Sequence, residues 1–265
     1  MRTNHEIDFQ IIGEEMQLVE IELDPQETTI AEAGSFMYMD DGIQMETIFG
    51  DGSRQGSSLM DKLFSAGKRL LTGAGLFMTA YTNHGFGKAK VAFASPYPGK
   101  IIPLDLLDYN GKIICQKDSF LCAAKGVSIG IEFQKKLGTG LFGGEGFIMQ
   151  KLEGDGMCFC HAGGHIIKRS LNAGQILRVD TGCIVAYTQN IDFDIQFVGG
   201  IKNTLFGGEG FFFATLRGPG DVWLQTLPIS RLASRILSYG SGVGGRKEEG
   251  SILGGIGNLL DGDGM

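Results

Sequence analysis

The heptapeptide LFGGEGF occurs twice, at Leu141–Phe147 and again 64 residues later at Leu205–Phe211. A shorter match, Leu76-Phe77, lies 65 residues before the first copy. Each match is followed by an apolar stretch, a glycine-containing turn and a second apolar stretch. Self-similarity at a fixed spacing is the signature of tandem structural units. The sequence therefore predicts three tandem repeats of a multi-strand unit, at about 5–85, 86–150 and 151–228.

The two heptapeptides are interpreted as tight connections within the repeats. Gly138, Gly140 and Gly143 formally satisfy the dinucleotide-binding pattern G-x-G-x-x-G. That motif must leave a strand and open a helix, whereas the residues that follow here are β-like and soon turn again. We predict a structural role for the equivalent residues Glu145 and Glu209, with a ring of cation-binding glutamates as the alternative. The predicted turn residues are Gly143, Gly144, Glu145, Gly146, Gly207, Gly208, Glu209 and Gly210.

Apolar residues alternate with polar ones through the blocks between these turns. Ile191, Phe193, Ile195 and Phe197 occupy every second position, as in a half-buried strand. The stretch 127–133 alternates in the same way. Small-residue kinks at Ser35-Phe36, Ser119-Phe120 and Gly182-Cys183 recur between the predicted strands. The fold class predicted is all-β, with the three repeats forming a sandwich or barrel-like body of residues 1–228.

Three segments lie outside the strand pattern. An insertion at about 56–72 has apolar residues on one side, which predicts an amphipathic helix that packs on its own domain. Contact with a partner or a bilayer is the alternative. Residues 229–240 are predicted to form a short helix. Residues 241–265 are predicted to be a flexible, glycine-rich tail, with ordering on a partner or membrane as the alternative.

Composition limits the classes of function. Glycine accounts for 43 of the 265 residues, which favours short strands joined by tight turns. The net charge of −7 disfavours a protein that grips nucleic acid, because phosphate contacts need basic side chains. Five cysteines form an odd set without framework spacing, which indicates free thiols in a reducing compartment. We therefore expect a cytoplasmic protein, with peripheral membrane contact as an alternative.

The densest group of metal-ligand residue types is the stretch MCFCHAGGH. It contains Cys158, Cys160, His161 and His165. On a strand, the two cysteines point to one face and His161 to the other, so the four side chains do not converge on one zinc ion. We predict core cysteines and no metal, with these four residues as the metal-ligand alternative. No nucleophile, histidine and acid occur in a recognisable frame, so the sequence predicts neither an enzyme nor a bound cofactor.

Several longer motifs carry a resemblance to a known family. They are, in order, GLFMT after the insertion, SPYPGKIIPLDL, LFGGEGFIMQKLEG, VDTGCIVAY and GPGDVWLQTLP. Over residues 5–230 the chain resembles the AIM24 family. The resemblance implies a fold similar to the tryptophan RNA-binding attenuation protein, in which repeated β-units form a barrel-like structure that tends to assemble into rings. Mitochondrial members are implicated in inner-membrane organisation, and prokaryotic members have no settled biochemical function.

The leading functional hypothesis is a non-enzymatic, ring-forming scaffold. Three repeats per chain favour a homo-oligomer, and a homotrimer of three such chains would contain nine repeats. The other partners expected are an unknown protein and, as an alternative, a membrane surface. A second hypothesis is a small-ligand-binding module with the ligand between β-units, which rests on analogy of fold alone. RNA binding is a third hypothesis, and the acidic charge disfavours it.

Overall fold

The computed structural model describes residues 3–49, 77–135, 146–198 and 211–240. Within these ranges the chain forms nineteen β-strands, three short 3-10 turns and one α-helix. The all-β class predicted for the body is confirmed. The strands are β1 (Asp8–Ile12), β2 (Leu18–Leu23), β3 (Thr28–Glu32), β4 (Phe36–Met39), β5 (Ile43–Phe49), β6 (Phe77–Asn83), β7 (Ala89–Ala94), β8 (Gly99–Asp105), β9 (Lys112–Gln116), β10 (Phe120–Ala124), β11 (Ser128–Lys135), β12 (Phe147–Glu153), β13 (Met157–Gly163), β14 (Ile166–Leu171), β15 (Ile176–Asp180), β16 (Ile184–Thr188), β17 (Asp192–Val198), β18 (Phe211–Arg217) and β19 (Gly220–Gln225).

The strands form four antiparallel sheets. Sheet 1 has the order β1-β2-β7-β4, and sheet 2 has the order β5-β6-β3-β10-β13-β8. Sheet 3 has the order β11-β12-β9-β16-β19-β14, and sheet 4 has the order β15-β18-β17. Sheet 3 thus repeats the order of sheet 2 with every strand number raised by six. Sheet 4 matches the first three strands of that order, and β2-β7-β4 of sheet 1 match the last three.

Apolar side chains fill the spaces between successive sheets. Val19 and Ile21 of sheet 1 pack with Phe159 of sheet 2. Leu104 of sheet 2 and Ile113 of sheet 3 belong to the largest core. The third core, between sheets 3 and 4, is formed by Ile114, Phe147, Met149, Leu171, Val179, Ile184, Tyr187, Ile191, Ile195, Ala214, Leu216 and Val222. Sheets 2 and 3 are therefore covered on both faces.

Several local features predicted from the sequence are present, and one alternating stretch departs from its pattern. Two of the small-residue kinks are 3-10 turns, at Lys117–Ser119 and Thr181–Cys183. The alternation at 191–197 corresponds to strand β17, in which Ile195 is buried, and Ile191, just before the strand, is buried as well. In β11 the alternation fails at Ile131, which is 38% exposed. The β11–β12 pairing shifts register after Ile131, so the bulge moves this side chain out of the core.

By its contacts the chain divides into a β body that ends at Ser230 and a C-terminal part that begins at Arg231. The short helix predicted near the end is confirmed as helix α1 (Ile229–Gly240). The predicted insertion helix at 56–72 and the predicted tail at 241–265 lie outside the described residues and stay predictions.

Candidate functional site

Strand β4 forms an edge of sheet 1 and carries exposed apolar side chains. Phe36 is 40% exposed and Met37 is 54% exposed, and Tyr38 beside them is also exposed. The strands in the matching position of sheets 2 and 3 are β10 and β16, which are almost entirely buried. Strand β10 is covered by β3, and β16 is covered by β9. Among the described residues, no strand covers β4 on that side.

Strand β15 forms an edge of sheet 4 in the complementary position. Its matching strands in sheets 2 and 3 are β3 and β9, which pair with β10 and β16 and are largely buried. In β15 only Val179 is buried, and Ile176 is 45% exposed. An edge strand with unpaired backbone groups and exposed apolar residues is a template for pairing with another chain. Within the described residues, β4 and β15 are therefore two unpaired edges that correspond to the two strands of each internal pair.

The two internal pairings share one register. In the β3–β10 pair, Cys122 lies opposite Ala31 and Ala123 lies opposite Ile30. In the β9–β16 pair, Ala186 lies opposite Cys115 and Tyr187 lies opposite Ile114. Strands β10, β16 and β4 also share a register shift on their other side, after Phe120, Ile184 and Phe36 respectively. The shared irregularity fixes which residues of the three strands correspond.

Polar contacts hold β4 against the neighbouring strands of sheet 1. The Tyr38 hydroxyl donates to Glu20 Oε2 over 2.7 Å, and Lys90 Nζ donates to Glu20 Oε1 over 2.7 Å. The Lys90 hydrogen bond, together with that of Tyr38, lowers the pKa of Glu20. The Lys90 backbone N–H donates to Asp40 Oδ2 over 2.8 Å, just after the strand. These contacts orient β4 on β7 and leave its far edge available.

The four residues considered as the metal-ligand alternative do not lie together. Cys158 and Cys160 are buried on one face of β13, in the core between sheets 2 and 3. Burial raises the pKa of the Cys158 thiol well above its usual value. His161 is buried on the opposite face, and His165 is exposed after the strand. Within the residues that the structure describes, no three metal-ligating side chains are grouped to hold an ion.

The side chain of His161 lies against Tyr97, in the β7–β8 connection. Burial lowers the pKa of His161 to about 4, although the interaction of the ring with the Tyr97 backbone partly opposes this shift. Neither ring nitrogen makes a hydrogen bond of standard geometry. A neutral imidazole in this position packs as an aromatic ring and has no charge with which to bind an anion.

A half-buried carboxyl lies in the same region and was not foreseen from the sequence. Burial, together with Asp118, raises the pKa of Glu32 to about 7. Burial, together with Asp118 and Glu32, raises the pKa of Tyr97 to about 12. Glu32 ends β3 while Asp118 precedes β10, so the pair becomes visible only once these two strands are known to pair. Shifted pKa values accompany structural acid pairs as well as catalytic sites, so the shift alone assigns no chemistry to this pair.

Of the eight predicted turn residues, Gly146 alone lies within the described ranges. Its φ of +83° is in the left-handed region that favours glycine, as expected of a tight connection. Gly143, Gly144, Glu145, Gly207, Gly208, Glu209 and Gly210 lie outside the described residues. In the ranges that are described, no helix is both long and apolar enough to span a bilayer.

Comparison with known proteins places these features in a family context. The family model described as "Mitochondrial biogenesis AIM24" matches residues 9–227. The uncharacterized protein M6_Spy0233 of Streptococcus pyogenes is 29% identical over 224 residues, which cover 84% of this chain and 86% of that protein. The crystal structure of protein SPYM3_0169 from Streptococcus pyogenes superimposes with a TM-score of 0.69 at 25% identity. The superposition covers 88% of this chain and 100% of the chain in that crystal structure.

Proposed function

This chain belongs to the AIM24 family, and we propose that it is a non-enzymatic scaffold of three tandem repeats that assembles head to tail into a ring. The observation that carries the proposal is the pair of unpaired edges, β4 and β15. Strand β4 corresponds to β10 and β16, and strand β15 corresponds to β3 and β9. Those strands pair with each other inside the chain, as β3–β10 and as β9–β16. A pairing that the sequence makes twice within the chain is one that it can make a third time between copies.

The strand orders support the repeats. If each repeat contributes six strands, then sheets 2 and 3 each combine half a sheet from one repeat with half a sheet from the next. Sheet 4 then consists of a first half-sheet that lacks the second half. Strands β2-β7-β4 of sheet 1 form a second half-sheet that lacks the first half. Joining β15 of one copy to β4 of the next restores the full order. The contact is heterologous, because it uses different surfaces of the two copies.

The internal pairings specify a register for this contact. By correspondence with Cys122 and Ala186, Tyr38 lies opposite Val179 of the partner subunit. Met39 lies opposite Arg178 of the partner subunit, one residue further along. The contact buries the exposed apolar residues of β4 and covers the exposed Ile176 of β15. Burial of these side chains supplies a hydrophobic driving force that main-chain hydrogen bonds alone would lack.

Heterologous contacts close into a ring or extend into a filament, depending on the rotation between copies. The homotrimer is the favoured closed form, with nine repeats from three chains of three. A ring of this kind offers one repeated surface to a protein or membrane partner, which is the sense in which the chain is a scaffold. The small-ligand and RNA-binding hypotheses stay predictions, and no described cluster favours either of them.

Native mass spectrometry of the purified chain tests the proposal. The expected result is a discrete species at a multiple of 28.5 kDa, with three chains favoured. A dominant single-chain mass at micromolar concentration would overturn the assembly. Retention of a small molecule or metal by a single chain would instead favour the ligand-binding hypothesis.

A further inference from the structure

The N-terminal residues 3–5 bind in a cleft formed by two turns far away in the sequence. Asp155, in the β12–β13 turn, accepts hydrogen bonds from the Thr3 and Asn4 backbone N–H groups at 2.6 and 2.8 Å and from the Thr3 hydroxyl at 3.0 Å. The Asp155 N–H donates in return to Asn4 Oδ1 over 2.8 Å. The His5 N–H donates to the Lys125 carbonyl oxygen over 3.0 Å. The backbone bends at Thr3 and Asn4, so two successive N–H groups turn toward one carboxylate, as in an anion-binding nest of backbone N–H groups.

The cleft is shaped around the asparagine side chain. Asn4 is 93% buried, since only 7% of its surface is exposed. A Cβ added to Gly126 would lie 2.4 Å from Asn4 Nδ2, and one added to Gly154 would lie 2.8 Å from Asn4 Oδ1. A Cβ on Gly156 would lie 2.9 Å from Asn4 Cβ. Three glycines therefore provide the space that this carboxamide fills.

The β6–β7 turn corresponds to the β12–β13 turn, and its carboxamide acceptor comes from its own asparagine. Asn83 ends β6, and its Oδ1 accepts from the N–H of Gly85, two residues on, over 2.8 Å. Glu153 ends β12 in the corresponding position, and its carboxylate pairs instead with Lys112 and Lys151. The N–H two residues on, that of Asp155, takes its carboxamide acceptor from Asn4. The β12–β13 turn therefore lacks a local asparagine and obtains one from another segment.

We propose that the cleft formed by 125–126 and 154–156 is a recognition site for a bent peptide segment containing asparagine, and that residues 3–5 occupy it as an internal, displaceable ligand. The Asp155 carboxylate accepts hydrogen bonds from two successive backbone N–H groups and a hydroxyl, which selects a Thr-Asn segment whose backbone bends at this point. The carboxamide is selected over a carboxylate, because an aspartate there would bring a second negative charge beside Asp155. It is selected over an apolar side chain, because the Asp155 N–H would lose its acceptor.

The site follows from contacts within one chain and does not depend on the proposed ring. An internal ligand competes with any external one at a high effective concentration. An external peptide should therefore bind only when the internal segment is weakened. This condition makes the site testable in the full-length chain.

The test uses fluorescence anisotropy with a labelled hexapeptide of sequence MRTNHE, residues 1–6 of the chain. The full-length Asn4→Ala chain should bind this peptide at least about tenfold more tightly than the natural chain does. A peptide with alanine or aspartate in place of asparagine should bind at least about tenfold more weakly. The double variant Asn4→Ala, Asp155→Ala should lose binding. Equal binding of the three peptides, equal binding by the double variant, or no binding to the Asn4→Ala chain would each overturn the recognition site.

Amide hydrogen exchange in the natural chain tests occupancy without added peptide. The Thr3 and Asn4 amides should be protected, because both are donors to Asp155. The Asp155→Ala chain should lose this protection while the Ile113 amide, in the core of sheet 3, keeps its own. Unprotected Thr3 and Asn4 amides in the natural chain would overturn the internal ligand. The Ile113 amide shows whether each variant is folded.

Discussion

The rings of Tyr97 and His161 meet edge to face, with centroids 4.5 Å apart and planes at 86°. His161 is 2% exposed, and Gly99 lies beside its ring. A Cβ added to Gly99 would lie 2.6 Å from His161 Nε2 and 2.0 Å from the Ala162 carbonyl oxygen. Glycine at 99 therefore leaves room for the imidazole and for the Ala162 carbonyl oxygen where β8 pairs with β13.

Replacing Gly99 with alanine should lower the free energy of unfolding by about 2–3 kcal/mol, because the added methyl overlaps main-chain atoms that cannot move independently. Urea titration monitored by fluorescence of Trp223, the single tryptophan and a buried one, measures the change. The matched control is Gly87→Ala, since a Cβ at Gly87 meets nothing within 4 Å. Equal stability of the two variants would contradict the close approach.

His161 should make the protein sensitive to acid. Its pKa is lowered from 6.5 to about 4, so the unfolded chain takes up this proton more readily than the folded chain. The stability present above pH 6.5 is therefore lost as the pH falls towards 4, by up to about 3 kcal/mol. The variant His161→Gln does not titrate and should show a flatter dependence over this range. The measurement is the free energy of unfolding at several pH values, and parallel curves for the two chains would refute the prediction.

Glu32 should make the folded protein less stable as the pH rises. Its pKa is raised from 4.5 to about 7, so the folded chain holds this proton more tightly than the unfolded chain. Stability therefore decreases as the pH rises from 4.5 to 7 and levels off above that. The variant Glu32→Gln should be more stable than the natural chain at pH 8, by about 2–3 kcal/mol, and similar to it near pH 4. Thermal unfolding at both pH values measures this, and a pH-independent difference would show that Asp118 and burial do not act on the carboxyl.

The register proposed between subunits can be tested by disulfide trapping. The variant Tyr38→Cys, Val179→Cys places the two thiols directly opposite each other across the proposed contact, with Cβ atoms roughly 5 Å apart. Mild oxidation should give covalent multimers on a non-reducing gel, in a Cys183→Ser background that removes the one partly exposed native thiol. A disulfide requires Cα atoms within about 7 Å, so the register must be correct.

The control for the trapping experiment is Tyr38→Cys, Leu177→Cys in the same background. Leu177 lies two residues from Val179, and its diagonal position puts it out of disulfide range. This chain should remain monomeric on the gel. Equal cross-linking of both pairs would reject the register, and a disulfide closed within one chain would show that β4 and β15 meet inside a single molecule.

Local structure followed from sequence where one physical signal dominated. Alternation identified strand β17, and a short helix was predicted at 229–240, where α1 lies. The strand periodicity also placed Cys158 and Cys160 on one face and His161 on the other, because successive side chains of a strand point to opposite sides. Each of these inferences needs only neighbours in the sequence.

The contacts between distant residues could not be read in the same way. Thr3 and Asn4 reach Asp155 across more than 150 residues, and no pattern near either end signals the meeting. The acid pair of Glu32 and Asp118 depends on the pairing of β3 with β10, which is a property of the sheet order. The exposure of Ile131 depends on a bulge that the alternating pattern does not reveal. Repeats predicted that such pairings exist, but not which strands would be left without partners.

The strand order also determines when the protein can finish folding as it leaves the ribosome. Sheet 2 includes both β3 and β13, so it cannot be completed before residue 163 has been synthesised. Sheet 3 includes β9 and β19, and it waits in the same way for Gln225. Pairing between strands far apart in sequence is slow, and it leaves strand edges exposed in the meantime. The nascent chain therefore exposes the edge of β3 until β10 has been synthesised, and the edges of β8 and β10 until β13 follows.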